Sequence, residues 1–439
     1  MKTWKTVMIA LVVVSTFMLV SFSFRNGTTR KHLSTYRSIP KGCVFRTIMG
    51  EESSDSSFVY LTSEKSQASI QHGLAWIIQA QGQKGGWGAG SHHRQDVMDP
   101  HAVPSDPATT SMVAMALLRS GSTLQHGTYS SSLRSALQYL LNSVESSLPE
   151  SFTITDQTGT QIQIKLGANI DVILTSQFLS NLLDGYLDHD AQLKARVKRA
   201  NDVCVAKIQK GQDGNGSFVG SGWAGVLQSS FATNALEAAQ AQGAKVDDHI
   251  LDKAREFQKN NYDSKTGDVK TELGAGVMLY SVTGSTRASA KEARRAEEEI
   301  QKAKRDGRLA VNAAPSASNL ETIGFSKDEA MKYATAYEVY QAGKVQAQRQ
   351  DVMDGFGSNG GEEFLSYLQT GEGMIIGKDN EWKKWYDNIS GRLLKIQNDD
   401  GSWSGHHCIT SPVFCTAACV LILSVNNDVD KLSELGRSR

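Results

Sequence analysis

The sequence predicts an all-α protein assembled from helical hairpins, and three observations carry that expectation. First, one pattern recurs: glutamine, three residues, glycine, one residue, then a large aromatic. Its copies are Gln81, Gly85 and Trp87; Gln212, Gly216 and Phe218; and Gln397, Gly401 and Trp403. Second, each copy closes an amphipathic stretch and is followed, after a loop, by a second apolar one. The repeating unit is therefore two helices joined by a glycine-bearing turn, with the aromatic plugging the junction. Third, these stretches carry few prolines, whereas Pro100, Pro104 and Pro107 cluster in the loop after the first copy. There a missing N–H interrupts no helix.

The elements follow in order along the chain. Lys2 and Lys5 precede an apolar run from Val7 to Phe24 that Arg25 closes. A positive flank before such a run predicts export, with residues 1–24 either a cleaved signal peptide or an uncleaved membrane anchor. Residues 25–65 are polar and Ser/Thr-rich and read as a flexible lead, 66–426 as one helical domain, and 427–439 as a polar tail. Ile70, Leu74, Ile77 and Ile78 share one helical face, and Leu133, Leu137, Leu140 and Leu141 share another. Phe152 to Ile164 alternates around Gly159, which predicts a small β-hairpin inserted between helices. Asp171 to Tyr186 and Ala191 to Lys210 form the next helix pair. From Arg287 to Arg308, Ala290, Ala293, Ala296, Ile300 and Ala303 line a narrow stripe among charged residues, and Gly307 ends it. That pattern predicts an outer helix with a solvated face.

Context around the motif strengthens it. The third copy runs from Trp385 to Leu423, with Thr416-Ala417-Ala418 opening an apolar helix. The first runs from Ser66 to Leu118, with Thr109-Thr110 in the same place before Met112. In this context the pattern resembles the repeat of squalene and terpene cyclases and of protein prenyltransferase β subunits. The resemblance implies an α/α toroid, a ring of inner helices inside a ring of outer ones. It does not carry either activity with it. The Asp-x-Asp-Asp acid motif of class II cyclases is absent from the sequence, and Asp399-Asp400 lie inside the turn pattern. The chain has room for one toroid, whereas triterpene cyclases resemble two linked ones. Protein prenyltransferases hold zinc through Asp, Cys and His and are cytosolic, which fits poorly with the N-terminal run.

Composition narrows the function classes further. Forty-six basic residues balance 46 acidic ones, so no overall field recruits nucleic acid. Five cysteines imply no disulfide framework. Cys204, Cys415 and Cys419 sit in apolar helical settings as core residues, with one bridge among Cys408, Cys415 and Cys419 left open.

Candidate site residues come from two coincidences and one loop. His92-His93 follow Trp87, and His406-His407-Cys408 follow Trp403. If the first and last hairpins close a ring, these loops become neighbours, with His101 nearby. Imidazoles and a thiol together would hold a transition metal, while exposed loop histidines bonded to backbone are the simpler alternative. The hexapeptide Arg-Gln-Asp-Val-Met-Asp occurs unchanged at 94–99 and 349–354. Asp96 with Asp99, and Asp351 with Asp354, would bind a divalent cation or share a proton, or else cap helices and pair with their own arginines. The glycine-dense segment from Gly355 leads into Glu362-Glu363, which a desolvating cavity would turn into a general acid or base. Against the dipole of a helix N-terminus they would instead be structural.

Three function classes remain. One is an exported toroid that binds a lipid-like or glycan ligand at the ring mouth. The second is an isoprenoid-acting enzyme of cyclase or transferase type, and the third a toroid glycan lyase or hydrolase. An apolar cavity separates the second from the third, which needs a polar cleft with paired carboxylates.

Overall fold

Every repeat turn is held by the residues that define it. In the computed structural model, which describes residues 62–428 except 221 and 358, Trp87, Phe218 and Trp403 are all buried. Gln81 and Gln397 each donate from Nε2 to the carbonyl of the motif glycine, at 2.8 Å in both copies. Gly85, Gly216 and Gly401 all have positive φ, between 87° and 93°, a region where a side chain is strained. A Cβ at these glycines would also meet the Ser135, Lys253 or His72 carbonyl at 2.7, 2.3 and 2.8 Å. The motif is therefore a close contact with the following hairpin or, for the last copy, with the first helix of the chain.

The glutamines complete that contact. Gln81 donates to the Ser132 carbonyl at 3.0 Å, Gln212 to that of Ile250 at 2.7 Å, and Gln397 to that of Ser69 at 3.0 Å. The last of these ties the final repeat to the first helix of the chain.

The described residues form an all-α structure. Its helices are α1 (Glu64–Gln79), α2 (Pro107–Arg119), α3 (Ser130–Ser146), α4 (Gln161–Lys165), α5 (Ile170–Leu183), α6 (Ala191–Lys210), α7 (Gly225–Ala241) and α8 (Asp248–Lys259). They continue as α9 (Met278–Arg305), α10 (Ala317–Thr322), α11 (Lys327–Gln346), α12 (Gln350–Met353), α13 (Gly361–Ile376), α14 (Trp382–Lys395) and α15 (Pro412–Leu423). No described helix is long and apolar enough to cross a membrane.

Burial sorts the helices into two sets. Helices α2, α5, α13 and α15 are buried along their whole length, and α7 is buried from Gly225 to Ala239. Helices α1, α3, α6, α8 and α14 bury only one face. Packing of the buried set runs from α2 to α5, α7, α9, α13 and α15, and α15 packs back on α2. The half-buried helices lie against this set, with α1 packed on both α14 and α15. Asp106, Asp190, Ser326 and Ser411 cap their helices through side-chain oxygens, and Pro107 and Pro412 sit where the first helical N–H is already unpaired.

Two sequence expectations need correction. Among the described residues there is no strand, and 152–164 is no hairpin. Ser151 and Thr155 hydroxyls accept from the Thr153 and Gln157 amides, offering the backbone partners other than a ladder. Thr160 and Gln163 then form a reciprocal capping box that starts α4. The charged stripe from Arg287 to Arg308 is helical with its apolar residues buried, but its helix begins earlier than expected. It is the distal part of α9, whose residues Leu279 to Arg287 are buried against the inner set. Ala296 and Ile300 do bury their stripe, in a cluster with Leu320, Ala330 and Ala334.

Cys204, Cys408, Cys415 and Cys419 are free, so the open bridge does not form. The N-terminal export segment at 1–24, the lead up to 61, Cys43, and the tail from 429 lie outside the described residues.

Candidate functional site

A cavity of about 210 Å³ opens where the buried helices begin, lined by Lys165, Trp223, Ala224, Ala275, Tyr280, Phe356, Glu362 and Cys408. Local structure explains each contribution. Lys165 ends α4, and that helix is latched from both sides. Gln163 donates to Asp171 Oδ2 at 2.8 Å, while Gln161 Oε1 accepts from the Thr410 amide at 2.7 Å. The Ile164 and Lys165 carbonyls accept from the Trp223 and Ala224 amides, bringing the loop before α7 to the cavity. Ala275 and Cys408 are two of the three described non-glycine residues with positive φ, at 52° and 58°. Such strained positions concentrate at sites where backbone is held for a purpose.

The electrostatics of the cavity centre on Glu362 and Lys165. Glu362 is 2 % exposed, and burial, reinforced by the neighbouring Glu363, pushes its carboxyl up to about 8. Its Oε2 accepts from the Ile409 amide at 3.2 Å. Glu363 turns elsewhere: its Oε1 accepts from the Tyr280 hydroxyl at 2.5 Å and from the Phe356 amide at 2.9 Å. Lys165 is 4 % exposed, and its Nζ lies 3.9 Å from the centre of the Trp223 ring. Burial, with help from Glu362, pushes the Cys408 thiol up to about 11, so it is protonated at neutral pH.

The glycine-dense segment from Gly355 lets backbone approach these groups. A Cβ on Gly355 would lie 2.5 Å from Glu363 Oε1, and one on Gly360 would lie 2.6 Å from Glu363 Oε2. On Gly357 it would lie 2.9 Å from His407 Nε2. The His407 ring therefore fits only because those side chains are absent, and it packs edge-on against Phe356 at 5.5 Å.

The first and last repeat loops are indeed neighbours, since the Thr410 hydroxyl donates to the Gln95 carbonyl at 2.9 Å. Their histidines nevertheless do not converge. His92 bonds Gln95 at 2.7 Å and lies 6.3 Å from the Trp223 ring, while His93, His101 and His406 are exposed. Among the described residues no three His, Cys, Asp or Glu side chains are grouped to hold a metal ion. The transition-metal expectation for His92, His93, His406, His407 and Cys408 is thus left without a ligand set.

The hexapeptide aspartates lie outside the cavity. Asp96 pairs with Arg94 at 3.0 Å and Asp351 with Arg349 at 2.6 Å, both exposed, so each copy clamps itself. Asp99 caps a short turn through the His101 amide, and Asp354 binds Arg392 at 3.1 Å. Of the candidate acids, only Glu362 lines the cavity, with Glu363 directly behind it.

Sequence reasoning missed Lys165, Trp223, Ala275, Tyr280 and Phe356, although a signal for one of them existed. His92, Trp223 and Cys408 each stand five residues after the repeat aromatic. The same register in successive hairpins delivers them to the same end of the structure. The fourth turn was invisible because it has one extra residue and Val269 in place of the aromatic, yet it repeats the bonding. The Asp263 amide donates to the Asp268 carbonyl and Gly267 to that of Asp263, as Asp213 and Gly216 do with Ser217 and Asp213.

A second buried acidic pair was also missed. Asp106 accepts from the Ala89 and Thr109 amides, and Asp171 from the Ala108 amide. Burial raises both carboxyls, and Asp106 raises Asp171 further. A carboxyl raised in the folded state binds protons that the unfolded chain releases, so stability falls as pH rises from the unfolded value of about 4 toward the folded one. Asp96 and Asp351, lowered by their arginines, act only below about 4 and do not oppose this trend. The melting temperature should therefore be higher at pH 5.5 than at pH 8.5, and Glu362→Gln should flatten the slope. A melting temperature that climbs across that range would contradict the buried acids.

A larger open cleft of about 610 Å³ lies between α9, α11 and the loop before α14. Two of its cations are paired, Lys344 with Asp379 at 2.5 Å and Arg294 with Glu298 at 2.8 Å. No protein-family model and no curated protein matches the chain.

Proposed function

We propose that the chain is an α/α toroid that binds a small, largely apolar ligand at the ring mouth. What supports the ring is the circuit of packing from α2 through α15 back to α2, with Gln397 bonded to α1 across the closure. The observation that carries the ligand is the cavity itself. Ala224, Ala275, Tyr280, Phe356 and Trp223 supply most of its wall, with few polar groups to orient what enters. Trp223 and Phe356 are each 61 % exposed at its rim, an unfavourable placement for large apolar rings unless something covers them. The basic and then apolar run before Arg25 supports an exported location, either released or anchored.

Titrating the full chain with 1-octanol and with maltotriose, read by tryptophan fluorescence, tests this reading. Saturable octanol binding that Trp223→Ala and Phe356→Ala each weaken about tenfold, or ~1.4 kcal/mol, is the expected outcome. Maltotriose binding in its place would move the ligand to the glycans, and binding untouched by either variant would remove the cavity from consideration.

A second reading rests on Glu362. A carboxyl held protonated at neutral pH inside an apolar cavity is suited to donate a proton, which supports an acid-catalysed enzyme of the isoprenoid-acting type. Under that reading Glu362→Gln abolishes turnover of an isoprenoid substrate while leaving octanol binding intact.

A further inference from the structure

We infer that the mouth cavity selects a monocarboxylate with a compact apolar body, its carboxylate pairing with the Lys165 ammonium. This rests on the ligand-binding reading above and narrows its chemical class.

The geometry starts from where the cation sits. Lys165 is buried, lines the cavity and places its ammonium over the Trp223 ring beside the Cys408 thiol. Among the described residues it forms no salt bridge. A buried ammonium without a carboxylate is costly, and contact with an aromatic face offsets only part of that cost.

The other groups facing it include two carboxyls, neither of them in ion-pair contact with it. Glu362 shares the cavity, and burial and Glu363 push its carboxyl up to about 8 against the opposing pull of Lys165. Glu363 is engaged by the Tyr280 hydroxyl and the Phe356 amide. Burial raises the Cys408 thiol, against the pull of Lys165, and raises the Tyr280 phenol, while burial, Lys165 and His93 lower His92. The cavity therefore presents an ammonium that no carboxylate contacts. An incoming carboxylate supplies that contact, and Glu362 in its protonated form donates a second hydrogen bond to it.

Volume limits the rest of the ligand. A dry cavity of roughly 150 Å³ holds benzene, so about 210 Å³ admits an aryl ring or short alkyl chain with its head group. A long polyprenyl chain exceeds it.

The test is calorimetric titration of the full chain at pH 6.5 with octanoate, 1-octanol and octylamine. Octanoate should bind at least tenfold more tightly than octanol, and octylamine more weakly than either. Lys165→Met should erase the difference between octanoate and octanol. Raising the pH to 9 should weaken octanoate, as Glu362 ionises and repels it, without changing octanol. Equal affinities for octanoate and octanol in the wild type would overturn the carboxylate assignment and leave the apolar-ligand reading standing. Binding of neither would overturn both. A preference for octanoate that survives Lys165→Met would remove Lys165 from the role. Should that variant fail to fold, the wild-type comparison of acid, alcohol and amine still decides.

Discussion

Replacing Trp403 with alanine should lower the free energy of unfolding by about 3–5 kcal/mol. The ring is fully buried and stands at the joint between the last hairpin and the first helix. A Cβ on Gly73 of α1 would lie 2.8 Å from it. Its Nε1 donates to the Leu393 carbonyl of α14 at 2.9 Å, and its own amide donates to the Thr416 hydroxyl of α15 at 2.8 Å. Truncation leaves a void shared by three helices and a carbonyl without its donor. Trp403→Phe keeps most of the volume but loses the N–H, so its cost should be nearer 1–2 kcal/mol. Trp87 is the built-in control, with the same bonds to Ile77 at 2.8 Å and Thr110 at 2.9 Å. Urea unfolding followed by far-ultraviolet circular dichroism reads all three. A loss below about 1 kcal/mol for Trp403→Ala would mean that the hairpins are not joined through this ring.

Removing one side of the buried charge network should cost a similar amount. Arg119 at the end of α2 donates to the Leu421 carbonyl at 2.9 Å and lies 3.7 Å from Glu372 of α13. Both side chains are shielded from solvent, and Glu372 also favours the charged form of Arg287 on α9, which burial opposes. Glu372→Leu strands buried guanidinium charge and should destabilise by about 3–5 kcal/mol. Arg119→Met combined with Glu372→Leu should recover much of that loss, because both charges of the pair then leave the interior. A double-mutant cycle measures the coupling directly. If the double variant is as unstable as the sum of the single ones, the two residues act independently and the network is not a unit.

The two experiments probe opposite kinds of legibility. Trp403 announces itself in sequence because its motif is local: glutamine, glycine and aromatic lie within seven residues and recur. Nothing near Arg119 announces Glu372, which is more than 250 residues away and meets it only through helix packing. The cavity stands between these cases. Glu362 and Glu363 drew notice through the glycine-dense segment before them, and the glycines do bring backbone against Glu363 and His407. Lys165 gave no signal, because it belongs to a short helix that looked like part of a strand pair. The capping box of Thr160 and Gln163, with the reach of Gln161 to Thr410, decided that segment instead.

The paired histidines show why adjacency of loops does not make a site. The loops after Trp87 and Trp403 do meet, but the His92–His93 pair turns toward Trp223 while His407 packs on Phe356. The duplicated hexapeptide makes the same point. Both copies form the arginine–aspartate clamp, a contact between residues two apart that needs no other partner. Met353 and Val352 are then buried in α12, whereas Met98 is 46 % exposed.

What the sequence by itself determined about this protein is its helical class, its repeat turns and the register that brings His92, Trp223 and Cys408 to one end. These depend on periodicity, turn glycines and contacts between near neighbours, all of which are written within one hairpin. Only the tertiary structure decided which charges are buried together, that α9 runs from the inner set into a charged extension, and that Lys165 and Glu362 share an apolar cavity. Those outcomes depend on desolvation and on contacts between residues far apart in the chain, and no local pattern encodes either.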